Sequence, residues 1–103
     1  MAVKITWTKR ALEDLSKVMN YLLENWGEKS AKEFSENLDK KLTQISAMPE
    51  MYPRVLFRKS VRKCVLTPQN TLYYKIKDEK IEIRKIQIIT IFDNRQNPEK
   101  LKI

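Results

Sequence analysis

The chain has no histidine, one cysteine and one glycine in 103 residues. Each scarcity closes off a class of chemistry. Without histidine there is neither the commonest general base near neutral pH nor the commonest metal ligand. The single thiol, Cys64, cannot close an internal disulfide. With no imidazole to join it, it supports neither a Cys/His nucleophile pair nor a zinc finger. It is expected to be a small buried or half-buried hydrophobe in a reducing compartment. One glycine is too few for a phosphate-cradling loop. No apolar run approaches the ~20 residues of a membrane span. The N-terminus, MAVKITWTKRAL, has no apolar core of the kind that marks a secretory signal. No Gly/Ser-rich or Pro-rich tract offers a linker, so residues 1–103 read as one domain. The expectation is a cytoplasmic protein with no metal and no cofactor.

What the chain has in excess is positive charge, and its location matters more than its size. The net charge is +8. Residues 49–103 carry thirteen basic and six acidic side chains, so a surplus of seven falls in the second half. Arg54, Arg58, Lys59, Arg62 and Lys63 follow one another with no acid between them. Such a half implies an acidic partner, either a polypeptide or a nucleic acid.

The apolar pattern then supplies the elements. Val3, Ile5 and Trp7 alternate with polar residues and read as a short strand. Thr8 can cap a helix whose stripe is Leu12, Leu15, Met19, Leu22 and Trp26, widened by Ala11 and Val18. Gly27 stands where a helix must stop. A second helix carries Ala31, Phe34, Leu38, Leu42, Ile45 and Met48. It starts at a Ser30–Glu33 capping box, or earlier at Gly27 or Glu28, and ends before Pro49. So short a connection folds the two helices into an antiparallel hairpin. Strands follow over Val61–Leu66 and Leu72–Lys77, then through the isoleucine-rich stretch Lys80–Pro98. That stretch is apolar on both parities, which predicts a central strand buried on both sides. Its parity changes at Arg84–Lys85, a place for a bulge or turn. The last hairpin is expected to turn at Asp78–Glu79, or else at Arg84–Lys85. The fold class is α+β in two layers, order βααβββ. The N-terminal strand and helical hairpin pack on a C-terminal antiparallel sheet, which the first strand is expected to join.

Candidate functional residues lie on that sheet. Cleavage of RNA through a 2′-hydroxyl needs a proton acceptor and positive charge for the phosphorane. Lys63, Arg84 and Arg95 could supply the charge, and Tyr73 or Asp93 the acceptor. Tyr73 could equally cover the sheet, and Asp93 could pair with Arg95 or cap the terminal turn. Arg95 could bind a carboxylate or phosphate bidentately, or bridge to Asp93 or Glu99 and pin the tail. Arg62 and Lys63 are adjacent on a strand, so only one of them can share the exposed face with Arg95. A single exposed tyrosine on a basic sheet would also be a platform for a base. As a surface for a macromolecular partner, the candidates are Arg58, Arg62, Lys63, Tyr73, Asp93 and Arg95. Trp7 and Trp26 are expected in the core.

The order of elements, the loop MPEMYP and the pair YYKIKDEKIEI and ITIFDNRQNPEKL resemble the RelE/ParE toxins of bacterial type II toxin–antitoxin modules. The resemblance covers nearly the whole chain, and the long helical hairpin looks like the ParE branch. It implies a growth-arresting toxin of the plasmid-stabilisation kind, held in a hetero-oligomer by a cognate acidic antitoxin. ParE-like members inhibit DNA gyrase by binding it without catalysis. RelE-like members cut mRNA on the ribosome. By the resemblance, Arg62 and Lys63 stand for the basic residues of the second strand and Arg95 for the arginine after the fourth. The arginine usual in the third strand is absent near Thr71 and Leu72, and no tyrosine follows Tyr74. ParE-like chains often carry a histidine before the final arginine, and Asp93 is near that place here. The resemblance therefore implies a gyrase-binding toxin, with the mRNA endonuclease as the alternative.

Overall fold

A computed structural model describes residues 2–80 and 83–103. Strand β1 (Ala2–Trp7) leads into helices α1 (Lys9–Asn25) and α2 (Glu28–Ala47). Strands β2 (Arg54–Val55), β3 (Arg58–Thr67), β4 (Asn70–Lys80) and β5 (Ile83–Asp93) follow, and a 3-10 turn spans Pro98–Lys100. The expected order is present, with the short β2 added. Thr8 caps α1, its hydroxyl accepting from Ala11 N at 3.0 Å. Gly27 lies between the helices at φ 89°, where a side chain is disfavoured. It is also the N-cap of α2, so the helix starts at Glu28 and the Ser30–Glu33 box is not used.

All five strands form one sheet in the order β1-β5-β4-β3-β2. β1 runs parallel to β5 and the rest pair antiparallel, so the meander is present and the sheet is mixed. β5 is paired on both edges, as its two-sided apolar pattern predicts. Two expectations about this strand are corrected. Asp78 pairs with Arg84 and Lys77 with Lys85, so both proposed turn positions lie inside paired strands. Ile81 and Glu82, which include part of the parity argument, lie outside the described residues. The second correction concerns the parity change, which falls at Ile89. Tyr73 pairs with Thr90 and Tyr74 with Ile88, leaving Ile89 as the extra residue of a bulge. The bulge explains how Ile88 and Ile91, of opposite parity, enter one core.

That core lies between the helices and the sheet. Phe34, Leu38 and Ile45 of α2 meet Cys64, Leu72, Tyr74, Ile86, Ile88 and Ile91. Trp7 packs half-buried against it. Trp26 does not: it is 67% exposed as the C-cap of α1, where it stands beyond the last helical residue. Leu12 and Met48, also expected on the stripes, are exposed as well. On the opposite face a smaller cluster gathers Val55, Val61, Tyr73 and Phe92. Leu101 and Ile103 of the tail lie over it, and the Arg10 side chain holds the tail by donating to the carbonyls of Lys102 and Lys100. Tyr73 is therefore only 8% exposed, because the tail covers a face expected to be open.

An added Cβ at Gly27 would meet nothing within 4 Å, so the cost of a side chain there is backbone strain alone. Gly27→Ala is expected to destabilise the protein by about 1–3 kcal/mol, read as a lower urea midpoint with unchanged slope. An unchanged midpoint would mean that the backbone relaxes.

Candidate functional site

β5 leaves the sheet at a cleft bounded by α1, the start of α2 and the β3–β4 turn. The cavity is about 500 Å³. Val18, Leu22 and Ile91 give it an apolar floor, and Lys17, Tyr21, Trp26, Asn70, Asp93 and Arg95 surround them. Asp14 fixes the wall. Its carboxylate accepts from Thr90 Oγ1 and from Ile91 N at 3.2 Å, joining α1 to the strand just past the bulge. Asn94 fixes the opposite corner, with its amide N–H donating to Gln69 O at 2.7 Å and its side chain accepting from Thr71 at 3.0 Å.

Within this frame Arg95 is committed to Asp93. The guanidinium donates from Nε to Oδ1 at 3.0 Å and from one terminal nitrogen to Oδ2 at 2.8 Å, a bidentate pair. Its backbone N–H adds a third bond to Oδ1 at 2.9 Å. The guanidinium also lies 6.0 Å from the centre of the Tyr21 ring, at the outer range of a cation–π contact. The hydrogen bonds from Arg95 hold the Asp93 carboxyl below its ordinary value. The same bonds push the Arg95 guanidinium up. Of the alternatives left open by the sequence, the pairing with Asp93 is the one present.

The other candidate residues do not meet here. Arg62 faces the helix side of β3 and donates to the carbonyls of Glu50 and Tyr52 at 3.0 and 2.7 Å, tying down the 49–53 loop. Arg84 reaches the Glu50 carboxylate at 2.5 Å. Tyr74 completes that anchorage, its buried hydroxyl donating to Pro49 O at 2.6 Å. Lys63 is exposed on the opposite face, paired across strands with Tyr73. Arg58 is exposed where β3 begins. Arg84 and Arg95 stand at opposite ends of β5, roughly 30 Å apart at ~3.3 Å per residue. Of the candidate functional residues named from the sequence, Asp93 and Arg95 share the cleft and the others lie outside it.

Sequence reasoning passed over Asp14 and Tyr21, and it assigned Trp26 to the core rather than to the cleft. A signal was present: Asp14, Val18 and Tyr21 recur at helical spacing beside the main stripe and mark a second line along α1. Burial pushes the Cys64 and Tyr73 groups up, so the thiol stays protonated and the phenol stays neutral. No helix among the described residues is long and apolar enough to cross a membrane.

Comparison with known proteins places this architecture. Residues 5–98 match the family model described as the ParE toxin of type II toxin–antitoxin system, parDE. The chain belongs to this family of toxins, within the RelE/ParE superfamily, and the family description implies an antitoxin as partner. A search of curated proteins found no match. Among solved structures, a chain of the chromosomal ParDE TA system from P. aeruginosa superposes with a TM-score of 0.71 at 17% identity, over 88% of this chain and 95% of that one. A YoeB/ParE toxin from Agrobacterium tumefaciens gives 0.64 at 12% identity, over 87% and 97%. A YoeB dimer from Staphylococcus aureus gives 0.62 at 16% identity, over 87% and 94%. At these identities the likeness is one of fold.

The Asp93–Arg95 pair has a pH signature. The folded carboxyl lies below its unfolded value, so the pairing is fully present above the ordinary carboxylate range and is lost as pH falls through the lowered value. Carbon-detected NMR is expected to place the Asp93 midpoint below 3.8, its ordinary value. A midpoint at or above 3.8 would mean that the pair does not persist in solution.

Proposed function

We propose that residues 1–103 act as a single ParE-like toxin domain that inhibits DNA gyrase by binding it, with no chemistry of its own. A cognate acidic antitoxin neutralises it in a hetero-oligomer. The observation that carries this reading is that Lys63, Arg84 and Arg95 do not converge. Phosphoryl chemistry requires cations within hydrogen-bond reach of one phosphate. Here one lies on the far face, one is bonded to Glu50, and one is bonded to Asp93. The proton acceptors fit no better. Tyr73 is buried with its phenol pushed up, and Asp93 is held down by Arg95, whereas an effective general base is tuned towards the working pH. A cleft with an apolar floor, two aromatic rings and a closed ion pair suits a polypeptide better than a phosphate. The antitoxin reading draws on the basic second half of the chain. Its complement is an acidic segment laid over the sheet and helical hairpin in the cytoplasm, with growth arrest and plasmid stabilisation as the consequence of release.

Purified gyrase separates this reading from a RelE-like one. The toxin is expected to inhibit supercoiling and to trap cleaved DNA. Undiminished supercoiling at high excess, together with ribosome-dependent cleavage of mRNA, would replace it with the endonuclease. Affinity for the antitoxin encoded beside the toxin is expected to fall as salt rises from low to high ionic strength, since screening weakens charge-driven docking. A salt-independent affinity would remove charge as the driving term.

A further inference from the structure

The β2–β3 hairpin ends in two residues for which the fold has no use. Val55 pairs with Arg58, leaving Leu56 and Phe57 as a two-residue loop. Such loops ordinarily carry Gly, Asn or Asp, often with positive φ. Here no non-glycine residue among those described has positive φ, so the backbone does not demand these side chains. Nor does packing: Leu56 is 91% exposed and Phe57 73%. Arg54, Arg58 and Lys59 flank them, all exposed and none in an ion pair with an acid among the described residues. Glu50, the acid nearest in sequence, is bonded to Arg84.

The tip is also remote from the cleft. β3 runs from Arg58 at the tip to Thr67 at the turn that borders the cleft. That separation is roughly 30 Å at ~3.3 Å per residue. A partner filling the cleft leaves the tip accessible.

We propose that the Leu56–Phe57 tip, ringed by Arg54, Arg58 and Lys59, is the docking point for the toxin's target, through an apolar pocket rimmed by carboxylates on an acidic protein. Large apolar anchors beside arginine are the composition of protein–protein hot spots. The ring of unpaired cations specifies acidic groups around the pocket. A nucleic acid fits less well, because β2 is two residues long and cannot follow a groove as wedge-bearing arms do. A lipid surface fits less well too, because two side chains offer little area to bury.

The proposal rests on the toxin reading, so its test reads growth arrest and does not depend on which target is hit. The variants are the double substitution Leu56→Ser/Phe57→Ser and the charge reversal Arg54→Glu/Arg58→Glu, both on exposed positions. Each is expected to keep the wild-type circular dichroism and melting temperature. Leu56→Ser/Phe57→Ser is expected to bind the antitoxin within about twofold, and Arg54→Glu/Arg58→Glu, which lowers the charge of the basic half, to lose less antitoxin affinity than toxicity. Each is also expected to need at least tenfold more expression to arrest growth. Arg54→Lys/Arg58→Lys is expected to stay closer to wild type. Four outcomes would overturn the proposal. They are undiminished toxicity, a matching loss of antitoxin binding, tip-dependent binding of the wild type to phosphatidylglycerol vesicles, and tip-dependent binding to duplex DNA. A wild type that arrests growth yet leaves supercoiling intact would sink the gyrase reading alone, and the growth comparison would still decide the role of the tip.

Discussion

The second edge of β5 has to be satisfied, and much of the molecule is arranged to satisfy it. A strand buried on both faces cannot leave its N–H and C=O groups unpaired without a cost of about 1–3 kcal/mol for each. β4 takes one edge along the full length. On the other, β1 pairs only as far as Ile88. From there the start of α1 takes over. Thr8 N donates to Ile88 O at 3.0 Å, and the Thr8 hydroxyl donates to Ile89 O at 2.8 Å while accepting from Ala11. The Asp14 carboxylate then accepts from Ile91 N and the Thr90 hydroxyl. A parallel strand and a helix N-terminus thus continue one another along a single edge.

The handover has consequences for the face of the sheet and for the site. It coincides with the bulge at Ile89, which brings Ile91 back to the side of Ile88 and sends Ile89 and Phe92 to the smaller cluster. With that change of side, Asp93 lines the cleft with α1, where Arg95 closes on it beside Tyr21. The position of the ion pair is therefore set several residues upstream, by which groups of α1 are free to bond a strand edge. Asp14, the least conspicuous of these groups in the sequence, links the fold to the cleft.

What was legible in the sequence follows from the same physics. The helices, their hairpin and the central place of β5 declared themselves because apolar period and turn residues report burial directly. The family resemblance rested on that order of elements, and the match over residues 5–98 agrees with it. The bulge was misplaced because a change of parity says that a residue is added without saying where; the charged pair Arg84–Lys85 looked like the break, and the break is at Ile89. Trp26 and Tyr73 exchanged roles for a different reason. The exposure of Trp26 depends on which element packs against the end of α1, and the burial of Tyr73 depends on where a C-terminal tail returns. Neither is a property of local sequence. Arg62, Arg84 and Arg95 were alike as candidate cations of the sheet, and only their partners in space distinguish two loop anchors from a residue of the cleft.

The central claim is that α1 completes the edge of β5 and thereby builds the cleft. Hydrogen exchange at the Ile91 amide, compared between wild type and Asp14→Ala, tests it most directly. The account predicts that in the wild type this amide exchanges only with global unfolding, as the slowest core amides do. In the variant it should exchange through a local opening, while the Leu72 amide, deep in the β4 ladder, stays slow relative to the variant's own stability. Equal protection of Ile91 in both proteins would contradict it, and would mean that β5 holds its exit without the helix.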